Sequence, residues 1–250
     1  MSKTIITLAA AAAALAAGSA LASTPAAPPA VKKTATPQQM AANALPPAST
    51  VAPAAPAAPG ADYAINGFRT ATFGMDEAQV KAAITRDFGV PADKITAGSN
   101  AMQHTNLLVV RTNLPPGPGE ATVSYIFGAT SHKLIHVNVA WATAQVPTSA
   151  DRTAIVAAGA QLSSYFKAQP WDPKTQARSG LVGNGQGLLM FDATDARGGN
   201  VQVEIDNLPL SRTVNGKTET TDPKGPAVLR VSYAQDAAHP DVFSIKPGSF

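Results

Sequence analysis

Residues 133–141 read KLIHVNVAW, and their alternation returns near the other end of the chain as VLRVSYA, residues 228–234. In the first stretch Ile135, Val137, Val139 and Trp141 alternate with His136, Asn138 and Ala140, the period of a strand with one buried face and one wet face. Aligned, Ile135 answers Leu229, Val137 answers Val231 and Val139 answers Tyr233, while His136 and Asn138 answer Arg230 and Ser232. Each stretch closes a block that reads helix, strand, strand, strand. Two such blocks predict an α+β fold of two tandem α-β-β-β repeats, about 73–141 and 148–234. Their helices would lie on one face of a largely antiparallel sheet.

The first block opens at Phe73-Gly74-Met75-Asp76. Asp76 can cap the free amides of a helix while Gln79 reaches back, and Val80, Ile84 and Phe88 fall on one face. Gly89 and Pro91 end it. After a polar stretch through Gly98 to Asn106, residues 107–112 and 122–127 read as strands around the Pro115–Gly119 turn. In the second block Thr148 or Ser149 caps a helix whose Ile155, Gly159, Leu162 and Phe166 share a side, closed by Pro170. Strands follow at 188–193 and 201–206. The glycines of 180–187 do not read as a phosphate loop, because a strand follows them where a helix N-terminus would be needed. Between Asn207 and Ala227 lies an insertion in which Asn215-Gly216 predicts a type I′ hairpin with polar arms that projects from the body. Val242, Phe243 and Ile245 are expected to pack a tail onto the sheet.

The phrase FGMDEAQV, followed by a helix and strands, resembles the small envelope proteins of the BamE/SmpA type and the secreted beta-lactamase inhibitor proteins. Their helix start, G-M-[ST]-x-x-x-[VI], is matched by Gly74, Met75 and Val80, with Asp76 at the hydroxyl position. The resemblance covers 73–141 well and 148–234 in outline. It implies a helix packed on an antiparallel sheet, duplicated in the inhibitors, whose open concave face binds a partner. It carries neither lipid anchoring nor the inhibitors' disulfides, since the chain has no cysteine.

The remaining length is not core-forming. Lys3, an apolar run from Ile5 to Ala17 and the small residues Ala20-Leu21-Ala22 predict a cleaved secretory signal over 1–22. The run is shorter than the roughly 20 residues that span a bilayer, so no membrane insertion is expected after cleavage. Residues 23–60 are dominated by alanine and proline and predict a disordered tether, with a reach on the order of 100 Å if extended. The globular part is 61–250, about enough to bury a core without disulfides. A formal charge of +3, or +2 once Lys3 is gone, is too balanced to argue for nucleic acid.

With odd-numbered strand residues facing the helices, the other face displays Thr122, Ser124, His136, Asn138, Gln202, Glu204, Arg230 and Ser232. This predicts a partner-binding surface made of His136, Asn138, Glu204, Arg230 and Ser232, with Arg212 and Lys217 of the hairpin at its rim. Glu204 and Arg230 are expected to form a cross-strand pair. The partner would be an unknown protein or cell-envelope component, met by a non-enzymatic periplasmic or secreted protein. Two other functions fit the sequence: a hydrolase using Ser124 and His136 with Glu204 orienting, and a small-ligand carrier. No cofactor is implied. His132 and His136 sit about 13 Å apart on a strand and cannot share a metal, and His104 and His239 lack acidic neighbours at ligand spacing. Trp171 is expected to be a lid on the core.

Overall fold

The computed structural model describes residues 62–182, 187–214, 217–221, 223–244 and 248. The predicted leader and tether, the Asn215-Gly216 turn, residues 183–186 of the 180–187 glycine segment and Ile245 lie outside them. The described residues belong to one compact unit.

Two helices form where the capping chemistry places them. Helix α1 spans Glu77–Phe88. Asp76 accepts from the Gln79 amide at 3.0 Å and Gln79 Oε1 accepts from the Asp76 amide at 3.0 Å, so two orphan donors of the first turn are satisfied reciprocally. Gly89 ends the helix at φ 65°, a left-handed conformation that glycine adopts without a Cβ clash. Helix α2 spans Ser149–Lys167, capped by the same reciprocal device between Thr148 and Asp151.

A short pair, β1 (Gly67–Phe68) with β2 (Ala71–Thr72), precedes α1. Strands β3 (Thr96–Asn100), β4 (Thr105–Asn113), β5 (Glu120–Phe127) and β6 (Leu134–Ala142) follow it. After α2 come β7 (Arg178–Val182), β8 (Gly187–Thr194) and β9 (Asn200–Asp206). The hairpin strands β10 (Ser211–Val214) and β11 (Lys217–Thr220) come next, and β12 (Val228–Ala234) ends the series. Eight strands make one sheet in the order β3-β4-β5-β6-β12-β9-β8-β7. All of its pairings are antiparallel. The hairpin is a separate two-stranded ladder in the register Val214 to Lys217.

Each helix is therefore followed by three sheet strands, as the sequence predicts, and by one more that it does not. The extra strands, β3 and β7, are the sheet's two edges. Every residue of β3 is exposed, so it has no buried face to impress a period of two on the sequence. Its backbone pairing with β4 alone makes it a strand.

The odd-numbered residues of β5, β6, β9 and β12 face the helices and form the core, with Val123, Tyr125, Val139, Val203, Ile205, Leu229 and Val231 essentially inaccessible to water. Against them α1 buries Val80, Ala83 and Ile84, and α2 buries Ile155, Ala158 and Phe166. Phe166 stacks on Phe191 at 5.8 Å and meets Tyr233 edge-on at 6.1 Å. Gly159 lets α2 approach closely, since a Cβ there would lie 2.7 Å from Met190 Sδ and 2.8 Å from Ile205 Cδ1. Met190 is an extra residue in β8, between Leu189, opposite Glu204, and Phe191, opposite Val203. Ser163 of α2 donates to its carbonyl at 3.0 Å, which satisfies a group the bulge frees. Trp171 closes the core edge, 4.9 Å from Tyr63, with its indole N–H donating to the Phe166 carbonyl at 2.7 Å.

One inward residue departs from the alternation. Phe127 pairs with Leu134 while Ile126 pairs with His136, so Ile135 is the extra residue of a bulge. Leu134 takes the core position, and Ile135, expected inside, lines the opposite side with His136.

Candidate functional site

The face away from the helices carries a row of residues in register on successive strands. Val109 lies opposite Ser124, Ser124 opposite Asn138, and Asn138 opposite Ser232. Ser232 lies opposite Gln202, Gln202 opposite Asp192, and Asp192 opposite Arg178. Apart from Val109 the row is polar, and it crosses the central seam between β6 and β12.

At the seam the row is knitted together. His136 Nε2 lies 3.0 Å from Asn138 Oδ1 and 3.1 Å from Ser232 Oγ, and the Ser232 hydroxyl donates to the same Asn138 oxygen. With that hydroxyl proton committed to Asn138, Nε2 must be the nitrogen that carries hydrogen. The other ring nitrogen, Nδ1, then holds a lone pair and has no hydrogen-bond partner among the described residues. Burial lowers the His136 pKa below its ordinary value, against the opposing hydrogen bond to Asn138, so the ring resists protonation.

The flank toward β7 holds the most buried charge of the face. Asp192 is 2% exposed. It accepts from Arg178 at 2.5 Å, from Asn200 Nδ2 at 2.8 Å and from Gln202 Nε2 at 3.4 Å. The next row along holds Arg230 opposite Glu204. They are the cross-strand partners the sequence expects, and Arg230 also forms an ion pair with Asp206, at 3.6 Å. Glu204 has its pKa raised by burial and by the neighbouring Asp206, with Arg230 opposing.

His136, Asn138 and Ser232 are thus brought together as one network. Glu204 and Arg230 stand on the same face in a separate row. Lys217 is exposed on β11, and Arg212 pairs across the hairpin with Glu219, its side chain lying outside what the structure describes. Ser124 sits opposite Asn138, and no hydrogen bond joins it to His136 among the described residues; the hydroxyl that His136 meets is that of Ser232. Among the described residues no group of three His, Asp or Glu is placed to hold a metal ion, and no helix is long and apolar enough to cross a membrane.

Sequence reasoning missed Asp192, Asn200 and Arg178. An aspartate inside the apolar run LLMFDA is a signal in itself, but the bulge at Met190 resets its face, and the parity of the strand alone cannot assign it. Comparison of the chain with protein-family profiles, with curated protein sequences and with solved structures returns no match.

Proposed function

We propose that this chain is an exported, non-enzymatic envelope protein that binds a macromolecular partner through the open face of its sheet. The observation that carries the reading is the polar row Ser124, Asn138, Ser232, Gln202 and Asp192, held in strand register on the face opposite both helices. Strands fix side-chain positions more rigidly than loops, so such a row presents preorganised donors and acceptors at little ordering cost. The same reading includes a tandem duplication. Both halves begin with a capped helix, and the last strands of the two halves, β6 and β12, meet at the centre of the sheet with the earlier strands running outward from them. The likeness to the secreted beta-lactamase inhibitor proteins and to the BamE/SmpA type belongs to this proposal, as does the predicted leader.

The test is capture of a partner from an envelope extract by the full chain, followed by binding kinetics of variants. Arg230→Ala removes a charge from the middle of the face and should raise the dissociation rate, costing roughly 2 kcal/mol or more. His136→Ala should weaken the same complex. Lys217→Ala, on the exposed hairpin, should slow association and weaken its salt dependence. Gln161→Ala, exposed on α2, should change nothing. A complex that forms equally well without Arg230 and His136 would remove the sheet face as the binding surface.

A further inference from the structure

Beside His136 the open face acquires walls. The segment after β12, residues 235–242, folds back along this end of the sheet and is pinned there by Asp241. That residue's carboxylate accepts from the Thr130 and Ser131 amides at 3.1 and 2.8 Å. With Gln103, Ser131 and Arg197 it bounds a cleft of about 760 Å³. That volume lies within the roughly 300–1,000 Å³ of small-ligand sites.

The chemistry of the cleft is set by what its charges already do. Arg197 donates to Asn66 Oδ1 at 2.6 Å and lies 3.7 Å from Asp195. Asp236 accepts from the Ala238 and His239 amides at 3.0 and 2.9 Å, and faces His239 Nδ1 at 3.4 Å. Asp241 is taken by the backbone amides of the β5–β6 turn. An incoming ion would find each countercharge engaged. The neutral groups left unused are Gln103 Nε2, Asn200 Oδ1, Gln202 Oε1, the Gln235 side-chain carboxamide and His136 Nδ1, none with a partner among the described residues, while Arg197 is engaged through Nη2. Between them Ile126, Ile135 and Val242 supply aliphatic surface.

We propose that this cleft binds a neutral saccharide. Sugar hydroxyls both donate and accept, which suits a lining that offers both amide donors and acceptors, and the C–H faces of the ring suit the aliphatic residues. A peptide added as a strand is disfavoured, because β6 and β12 are paired on both sides and offer no free backbone edge. The cleft shares His136, Asn138, Ser232 and Gln202 with the proposed partner surface but does not depend on it, and Arg230 is not part of its lining.

Isothermal titration of the full chain with maltotriose and N,N′,N″-triacetylchitotriose, with an oligogalacturonate, a cationic glucosamine oligomer and a neutral tripeptide as comparators, tests the proposal. At least one neutral sugar should bind saturably and with no salt dependence. Gln202→Ala and Gln235→Ala should each weaken it by about three- to tenfold, while Gln161→Ala and Arg230→Ala leave it unchanged. Saturation-transfer NMR on the unsubstituted chain should pass magnetisation from aliphatic methyl protons to the sugar C–H protons. The proposal is overturned if neither neutral sugar binds, if a charged sugar or the tripeptide binds tighter, or if both glutamine variants, folded by circular dichroism, keep full affinity. Loss of a protein partner with Arg230→Ala while sugar binding persists would separate this cleft from the wider face.

Discussion

A Cβ added to Gly117 would stand 2.3 Å from the indole of Trp141, a ring only 2% exposed and tethered by its N–H to the Leu114 carbonyl at 2.9 Å. The indole cannot swing away as a flexible side chain would, so Gly117→Ala should cost about 2 kcal/mol by overpacking, read as a lower denaturation midpoint at unchanged m-value. Two titrating residues on the opposite face make a second prediction. His136 has its pKa lowered from 6.5 by burial, so the unfolded chain binds the proton first and stability falls as pH drops below 6.5. Glu204 has its pKa raised from 4.5, so the folded chain keeps the proton longer and stability falls as pH rises above 4.5. Between these values the two slopes oppose each other. The lowered carboxylates Asp151, Asp236 and Asp241 act below their ordinary 3.8 and leave this window clear. Thermal melts of Glu204→Gln across the window should therefore show stability rising with pH more steeply than in the unsubstituted chain. Those of His136→Gln should show it falling, and identical profiles for the two variants would contradict the assignment.

Among the elements, the tail after β12 is held at points that can be removed one at a time. Asp241 binds the β5–β6 turn through its side chain and through its carbonyl, which accepts from Ala129 at 2.9 Å. Phe243 donates its amide to the Gln103 carbonyl at 2.9 Å and stacks on His104 at 4.2 Å. Asp241→Ala should speed hydrogen exchange at the Thr130 and Ser131 amides and cost about 1 kcal/mol, since the lost bonds are charge-assisted but partly solvated. The sequence places Phe243 on the sheet, yet it is 49% exposed and rests on a loop histidine. That difference marks how far local reasoning reaches. Helices α1 and α2 are legible because each cap is written within four residues, and the inner strands because a buried face imposes alternation. Edge strands β3 and β7 leave weaker traces, and the bulges at Ile135 and Met190 leave none. The site divides the same way. The polar face follows from strand parity, whereas the cleft does not, because its walls come from Gln103, Ser131, Arg197 and the tail, brought together only by tertiary pairing.

Across the whole molecule, the two helix-led halves join along β6 and β12, where Trp141 faces Leu229, Val139 faces Val231 and Val137 faces Tyr233. Their buried side chains form a single hydrophobic cluster from Ile65 to Val231, with no break at the seam. Halves that share one core should not unfold separately, because opening either strips the other of its apolar cover. The chain has two tryptophans, and they report on different halves: Trp141 lies near the end of β6, and Trp171 follows α2. Single-tryptophan versions made by Trp171→Phe and Trp141→Phe each supply one local fluorescence signal. In urea each signal should coincide with the loss of helix measured by circular dichroism on the same variant. Adding Val231→Ala, which hollows the seam, should lower both transitions together by about 2 kcal/mol. Should the Trp171 signal move while the Trp141 signal stays, the halves fold independently and the central pairing is only a contact between them.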